Sequence, residues 1–314
     1  MAENANDSAA AAGAGEDSWF ENAVLVYGPR KGGTTLLQNL LDGGDALFVY
    51  PVELKLKQLV FADLDDRGGA AVYARRSRIR TVTIPRFDQA RYQAAMDDQA
   101  GRGEVRGLKP LIRSDLQITR DSMLAPAVAA SPRQWAAKEV GGRTARIVEW
   151  WLANFANPRV VFIVRDPLMV TRAVLRTRRR TGDRQSLADL LYETFDPRRV
   201  MRAQQALLDR PNVYAVAYED LVADPEAAMA RIAGFLGVPH GPHLARPSIF
   251  GESVVVATAS KTSRDVFADQ AAWSDGLSLR ERIVVRLATL FAAFHPGLRL
   301  DYGALRARLK RQFR

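Results

Sequence analysis

A glycine-rich loop near the start of the sequence has the residue types that bind a phosphate or sulfate ester. It lies between residues 24–27, a β-branched run typical of a buried strand, and residues 36–41, which are apolar at helical spacing. The loop reads Gly28-Pro29-Arg30-Lys31-Gly32-Gly33-Thr34-Thr35. A turn of this kind that opens a helix presents backbone N–H groups and a positive helix end to an anion. Glycine also lets the main chain approach the anion closely.

The position of the lysine distinguishes this loop from the P-loop of nucleoside triphosphatases. That motif reads G-x-x-x-x-G-K-[ST], and Gly28, Gly33 and Thr35 fit it. Thr34 stands where the motif has its lysine, and Lys31 lies within the turn instead. Lys31 would therefore meet a phosphate chain from another side. The alternative is an ordinary strand–turn–helix corner without a ligand.

The loop resembles the 5′-phosphosulfate loop, x-x-[RK]-[SG]-G-T-[TS], of sulfotransferases that use 3′-phosphoadenosine 5′-phosphosulfate (PAPS). The resemblance continues in separate segments to about Trp273. It implies an α/β fold of the P-loop type, with three α/β/α layers and a central parallel sheet. It also implies that PAPS is bound by Arg30, Lys31, Gly32, Gly33, Thr34 and Thr35.

A second segment resembles the part of the family that binds the 3′-phosphate of PAPS. Residues 159–164 form an apolar run typical of a buried parallel strand, and Arg165, Asp166 and Pro167 follow it. A guanidinium fork suits a phosphate monoester, and the resemblance assigns Arg165 to that group. The alternative is an arginine that pairs with Asp166 at the end of a strand.

Ala173 departs from the family pattern. Family members usually have a serine at this position as a second ligand of the 3′-phosphate, so Thr171, Thr177 or another segment would have to replace it. The departure leaves open a non-catalytic protein that binds PAPS or another polyanion. A P-loop nucleotide kinase is the remaining alternative, and the position of Lys31 argues against it.

Glu53 is the candidate general base. Residues 46–50 read as a short strand, and Glu53 falls just past it, where the carboxyl ends of parallel strands face the ligand crevice. Several carbohydrate and tyrosine sulfotransferases have their base at a similar Pro-x-Glu position. The resemblance implies that Glu53, with a pKa raised by burial, removes the acceptor proton, while Lys31 stabilises the leaving oxygen. The alternative is a surface ion pair with Lys55 or Lys57.

Three further segments match the family. Tyr218 opens a YEDL…DPE…FLG series, and the resemblance implies a place near the adenine, with a buried core tyrosine as the alternative. Residues 260–264, with Trp273 and Gly276 beyond, occupy the place of the loop that closes over the 3′-phosphate. Residues 65–125 correspond to the variable region that selects the acceptor. Their arginines suit either an anionic acceptor or a solvated face.

The composition limits the kinds of site that the chain can hold. No cysteine is present, so disulfides, thiolate metal sites and cysteine nucleophiles are excluded. The net charge of +10 predicts an anionic ligand, such as nucleic acid, an acidic membrane or a polyanionic small molecule. Aliphatic residues, not aromatic ones, alternate with the arginines of residues 172–180. Bases would have nothing to stack on there, and we expect no nucleic-acid partner.

We expect one domain over residues 19–314 after a disordered tail at residues 1–18, which is rich in Ala, Gly, Asn and Asp. The tail lacks the features of a secretory signal, and no run approaches the length of a membrane span. A cytoplasmic protein without stable membrane insertion is therefore expected. The resemblance implies PAPS as co-substrate, no metal, and a hydroxyl or amine of a small molecule or glycan as acceptor.

Overall fold

The structure is a computed structural model that describes residues 18–124, 132–183, 185–257, 262–263 and 272–311. Its centre is a five-stranded parallel sheet in the order β2-β3-β1-β4-β5. The strands are β1 (Ala23–Gly28), β2 (Leu47–Glu53), β3 (Gln134–Val140), β4 (Arg159–Val164) and β5 (Val213–Ala217). Helices cover both faces of this sheet, so the predicted three-layer α/β architecture is confirmed.

Helices connect and flank the strands. In chain order they are α1 (Thr34–Leu41), α2 (Leu56–Leu59), α3 (Gly69–Arg76), α4 (Gln89–Arg102), α5 (Leu108–Asp121), α6 (Thr144–Asn154), α7 (Pro167–Arg180), α8 (Leu187–Gln205), α9 (Tyr218–Ala223), α10 (Pro225–Leu236), α11 (Leu279–Phe294) and α12 (Tyr302–Arg311). Two-residue strands form two small hairpins, β6 (Ser248–Ile249) with β7 (Glu252–Ser253), and β8 (Val256–Ala257) with β9 (Thr262–Ser263).

The central sheet separates two apolar cores, because successive residues of a strand point to opposite faces. In β1, Leu25 and Tyr27 belong to one core, whereas Val24 and Val26 belong to the other. The first core includes side chains of α3–α6 and α8, and the second includes side chains of α1, α9 and α10. Since all of β1 is buried, the loop that follows this strand starts from a fixed position.

Strand β2 is longer than the sequence indicates. The apolar run predicted a strand that ends at Tyr50, but β2 continues through Pro51 to Glu53. Proline is tolerated because β2 is an edge strand, and the register with β3 shifts between Val49 and Glu53. Glu53 is therefore the last residue of the strand, opposite Lys138 of β3.

Two other segments differ from the sequence prediction. In the sequence, residues 200–208 read as a helix, but α8 begins well before them and contains Pro197 in its interior, a residue that normally argues against a helix. In the sequence, residues 212–221 read as a strand and turn, but the strand ends at Ala217. Tyr218 then begins α9.

Residues 65–125, the predicted acceptor region, include α3, α4 and α5 around a buried polar centre. Asp115 of α5 accepts hydrogen bonds of 2.8 Å from the hydroxyls of Tyr50, Tyr73 and Tyr92. Tyr50 belongs to β2, so this carboxylate connects the three helices to the sheet. Asp115 is buried, and without it three hydroxyls would lose their acceptor.

Replacing Asp115 by Ala is expected to lower the free energy of unfolding by about 3 kcal/mol or more, because each buried hydroxyl left unpaired costs roughly 1–3 kcal/mol. Urea denaturation measures this change. The matched control is Asp121→Ala at the exposed end of the same helix, for which a change below about 0.5 kcal/mol is expected. Equally small effects of both substitutions would contradict the structural role of Asp115.

Two predicted segments fall largely outside the described residues. Of the tail expected over residues 1–18, only Ser18 is described, and of the loop over residues 260–264 only Thr262–Ser263. Trp273 packs against the small core of Leu175, Leu190, Leu277 and Val285. Within the described ranges, no helix combines the length and apolar character needed to cross a lipid bilayer.

Candidate phosphate-binding site

The loop between β1 and α1 contains two residues in the left-handed region. Lys31 has a φ of 60° and Gly33 a φ of 107°. A Cβ on Gly33 would lie 2.6 Å from a ring carbon of Tyr218, so both the backbone and the available space require glycine. Gly33 precedes the first turn of α1, which no side chain in the described part of the chain caps. The first N–H groups of α1 therefore lack an acceptor within the helix, and this arrangement suits an anion.

Arg165 is fixed beside this loop. It follows β4 directly, is 8% exposed, and donates from Nη1 to the carbonyl of Lys31 at 3.0 Å. Its Nε is buried and has no hydrogen-bond partner among the described residues. The carboxylate of Asp166 instead accepts from backbone N–H groups of the first turn of α7, at 2.7 and 3.4 Å. Arg165 thus presents a buried donor that an anionic oxygen would satisfy.

Tyr218 lies between the loop and Arg165. Its ring is next to Gly33, and the guanidinium carbon of Arg165 is 4.0 Å from the ring centre, a cation–π contact. Tyr218 is mostly buried, at 7% exposure. The structure therefore brings together three residues that the sequence singled out separately.

The loop side chains point in different directions. Arg30 extends to α8 and forms an ion pair of 2.5 Å with Glu193. The side chain of Lys31 is exposed, whereas Thr34 is buried. Of the two loop cations, Lys31 is thus the more exposed, whereas Arg30 is held by its ion pair.

Lys138, a residue that the sequence prediction did not assign to the site, contacts the loop from β3. It is 8% exposed, and its Nζ donates to the hydroxyl of Thr35 at 2.9 Å. Burial lowers the pKa of Lys138 to about 8, although nearby Glu53 opposes the shift. The signal in the sequence was the charged pair Lys138-Glu139 after the apolar residues 135–137, because charged side chains in a buried strand require partners in the fold.

Glu139 is the second functional group that the sequence prediction did not assign. It follows Lys138 in β3 and is completely buried. Its side chain is hydrogen-bonded to that of Glu53. Two carboxyl groups form such a bond only when one of them carries a proton. Burial, reinforced by the charge of Glu53, raises the pKa of Glu139 to about 8, so the proton resides on Glu139.

The predicted rise in the pKa of Glu53 is wrong. Burial does act to raise this pKa, but the hydrogen bond from Glu139 and the ammonium groups of Lys55 and Lys57 outweigh it and hold the pKa below its usual value. The ammonium groups lie 3.0 and 4.0 Å from a carboxylate oxygen of Glu53. The ion pairs expected from the sequence alternative are therefore present, at the crevice end of the sheet.

The hydroxyls considered as replacements at the Ala173 position are already used within the fold. Thr171 donates to the carbonyl of Pro167 at 2.8 Å and also to that of Glu193 at 3.1 Å. Thr177 donates to the carbonyl of Ala173 at 2.9 Å. Neither hydroxyl hydrogen is available to a phosphate in this conformation.

Three arginines of α7 contact other parts of the fold. Arg172 is 1% exposed and donates from Nε to the carbonyl of Asp275 at 3.1 Å, Arg178 lies 3.3 Å from Glu193 of α8, and Arg179 pairs with Glu281 of α11. From the sequence alone, the basic run at residues 172–180 could lie beside the cofactor or contact an acidic acceptor or nucleic acid. These three side chains instead bind α7 to its neighbours.

Comparison of the sequence with protein families gives one result that covers most of the fold. The model of the Sulfotransferase family matches residues 23–242, more than half of the chain. The match includes the loop, Arg165 and Tyr218. A comparison with curated proteins finds no match.

Solved sulfotransferase structures are similar to the chain. The sulfotransferase domain of the Synechococcus PCC 7002 olefin synthase has 20% sequence identity and a TM-score of 0.52, over 87% of this chain and 95% of that one. The sulfotransferase domain from the curacin biosynthetic pathway has 18% identity and a TM-score of 0.48, over 85% and 96%. The Alicyclobacillus acidocaldarius sulfotransferase has 13% identity and a TM-score of 0.47, over 92% and 94%. The first similarity supports the fold.

Proposed function

The chain belongs to the sulfotransferase family and is a sulfotransferase, and from this premise we propose that it transfers the sulfuryl group of PAPS to a hydroxyl or amine of an acceptor. The observation that carries the proposal is the meeting of the loop at residues 28–35 with Arg165 and Tyr218. The start of α1, which no described side chain caps, suits the 5′-phosphate. The buried Nε of Arg165, for which the described part of the chain holds no hydrogen-bond partner, suits the 3′-phosphate, and the ring of Tyr218 suits the neighbouring adenosine.

In the proposed reaction, Glu53 acts on the acceptor, and the loop residues act on the nucleotide. Glu53 removes the proton of the acceptor as the acceptor oxygen or nitrogen attacks sulfur in line, and the bond from sulfur to the 5′-phosphate oxygen breaks. Lys31 stabilises the negative charge that remains on that oxygen. Thr34 and Thr35 hold the 5′-phosphate, and Lys138 adds positive charge behind Thr35.

Glu139 orients the proposed base. By donating its proton to Glu53, it fixes one carboxylate oxygen and leaves the pair with a single negative charge. Because the pKa of Glu53 is low, this residue is ionised at neutral pH and able to accept a proton. The same low pKa makes Glu53 a weaker base. The pair then holds two protons and returns one to solvent before the next turnover.

Residues 65–125 supply the proposed acceptor side, and Arg78 is an arginine of this region whose charge acts on Lys138. It is exposed, and its charge contributes to the lowered pKa of Lys138. Two other arginines of this region are already engaged, since Arg80 lies 2.8 Å from Asp97 and Arg86 lies 2.6 Å from Glu252. We therefore propose an acceptor, small molecule or glycan, that carries an anionic group close to the attacking atom.

Replacing Arg78 by Ala is expected to raise the KM of an anionic acceptor about tenfold, because an exposed ion pair contributes about 1 kcal/mol or somewhat more in a partly enclosed crevice. The kcat is expected to stay unchanged. The measurement is steady-state kinetics with an acidic and a neutral glycan acceptor. The matched control is Arg75→Ala, an exposed arginine in the same region. Equal effects of both substitutions on both acceptors would contradict the assignment.

The proposed function is tested first by nucleotide binding and then by turnover. In calorimetry, adenosine 3′,5′-bisphosphate is expected to bind at least about tenfold more tightly than Mg-ATP, since only the former has a group for Arg165. Radiolabelled PAPS with a panel of alcohols, amines and glycans is then expected to give a labelled product. Tight Mg-ATP binding without affinity for the bisphosphate would favour a P-loop kinase. Bisphosphate binding without transfer to any acceptor would favour a non-catalytic binding protein.

Affinity for adenosine 3′,5′-bisphosphate is expected to depend on pH through Lys138. Its pKa of about 8 means that the ammonium loses its charge as the pH rises through that value, so attraction for the phosphate weakens. Calorimetry at pH 7 and pH 9 is expected to show an about five- to tenfold loss of affinity. Lys138→Arg, which stays charged, is the control that should remove the part of this pH dependence due to Lys138, and Lys138→Arg/Glu139→Gln should also remove the part due to Glu139, whose pKa is also about 8. A wild-type affinity that is constant over this range would exclude Lys138 from the phosphate site.

A further inference from the structure

Helix α11 carries its large apolar side chains on the face that points away from the protein. The residues that α11 buries are Glu281, Val285, Ala288 and Ala292. The opposite side holds an outer stripe of larger residues, which are Leu279, Ile283, Leu287, Leu290 and Phe294. Each of the five is at least half exposed, and Phe294 is 86% exposed. An amphipathic helix normally buries its larger apolar residues, so this orientation marks a contact surface.

Basic residues border the outer stripe. At about 100° per residue, the five side chains of the stripe fall within an arc of about 80°, with Arg280 on one side and Arg286 on the other. Arg282 is a further exposed cation of this helix. The single acidic residue of α11, Glu281, is buried and pairs with Arg179 of α7. The exposed surface of α11 therefore combines apolar and positively charged groups without an exposed carboxylate.

This combination fits an anionic lipid surface. A helix that lies in the plane of a membrane places Leu, Ile and Phe among the acyl chains and Arg at the level of the headgroups. The 16 residues of α11 give it a length of about 24 Å, enough for one such contact. Tyr192 and Leu187 of the neighbouring α8 are also about half exposed, and tyrosine suits the interface between lipid and water.

A second copy of the chain fits the outer stripe less well. In a twofold contact through α11, the arginines beside one stripe would approach the arginines beside the other, and the helix offers no exposed carboxylate to either set. A protruding helix also presents a ridge without a matching groove, whereas lipid adapts to a ridge. Charge thus favours phospholipid over self-association.

We propose that the outer stripe of α11 docks the protein reversibly on a membrane surface rich in anionic phospholipid. The docking is interfacial, through side chains of one helix, and requires no membrane-spanning segment. It is independent of the reaction assigned to the loop and Arg165.

The test is co-sedimentation of the full chain with vesicles. Vesicles of mixed phosphatidylcholine and phosphatidylglycerol are expected to bind the protein at least about tenfold more strongly than phosphatidylcholine alone, because each arginine near an anionic surface adds about 1 kcal/mol. The double variant Leu287→Glu/Leu290→Glu is expected to lose this binding about tenfold or more. Leu124→Glu, at a residue 66% exposed after α5, is the matched control and is expected to bind like the wild type.

A second variant and a second measurement test the proposal independently of the first variant. Arg282→Glu/Arg286→Glu alters only exposed cations and is expected to reduce binding to the mixed vesicles, as raised salt does. Light scattering after gel filtration reports the oligomeric state of each protein. Failure of the wild type to bind the mixed vesicles overturns the proposal. In that case, a wild-type dimer that Leu287→Glu/Leu290→Glu converts to a monomer would assign the stripe to a second copy.

Discussion

Replacing Glu53 by Gln is expected to lower the kcat of sulfuryl transfer about 100- to 10,000-fold, the range by which a positioned general base accelerates proton transfer. Glutamine has the shape of glutamate but accepts no proton from the acceptor. Binding of adenosine 3′,5′-bisphosphate is expected to change less than about threefold, because Glu53 lies at the end of β2 and Arg165 at the end of β4. Labelled PAPS in single-turnover mode and calorimetry measure the two quantities.

Two further variants make this test of Glu53 specific. Glu104→Gln, at an exposed position of the acceptor region, should leave both kcat and binding unchanged. Glu139→Gln keeps a donor for Glu53 but removes the second acid, so kcat should fall less than in Glu53→Gln and its pH dependence near pH 8 should flatten. If Glu53→Gln turns over at the wild-type rate while Glu139→Gln does not, Glu53 is not the base and Glu139 takes that role.

The residues that the sequence identified lie in segments with a strong local signature. The loop lies between a buried strand and an amphipathic helix, and Arg165 stands between an apolar strand and a proline that opens a helix. In a parallel sheet both positions fall at the same edge, because the two strands point the same way. The parallel sheet and the position of the loop and Arg165 at one edge of it were therefore expected from these local patterns together with the family resemblance, whereas the order of the strands was not predicted.

The protonation state of the carboxyl pair formed by Glu53 and Glu139 could not be predicted from such local patterns. Lys138 and Glu139 are adjacent in sequence, but one contacts Thr35 and the other contacts Glu53, from separate segments. Which carboxyl group keeps the proton depends on the difference in burial between β3 and the edge strand β2 and on the two lysines beside Glu53. Likewise, the 3.6-residue period of residues 277–294 indicates a helix with an apolar stripe, but it does not indicate whether the protein covers that stripe.

Arg165→Ala is expected to weaken the binding of adenosine 3′,5′-bisphosphate about 100- to 1,000-fold. Hydrogen bonds from a guanidinium to a phosphate contribute about 1.5–3 kcal/mol each, and Arg165 is nearly buried, where solvent screens them little. Arg165→Lys keeps the charge without the planar fork, so we expect an intermediate loss. Arg91→Ala, at an exposed position of α4, is the control for a change of net charge alone.

Arg165 can contribute to affinity by contacting the 3′-phosphate directly or by supporting the loop. A nucleotide that lacks the 3′-phosphate distinguishes these two contributions. The same guanidinium donates to the carbonyl of Lys31 and stacks on Tyr218, so its removal also loosens the segment that holds the 5′-phosphate. If Arg165 contacts the 3′-phosphate, Arg165→Ala loses affinity for the bisphosphate much more than for adenosine 5′-monophosphate. An equal loss for both nucleotides would mean that Arg165 acts only by shaping the loop. The 3′-phosphate would then need another ligand in a chain whose Thr171 and Thr177 hydroxyl hydrogens are already donated to carbonyls.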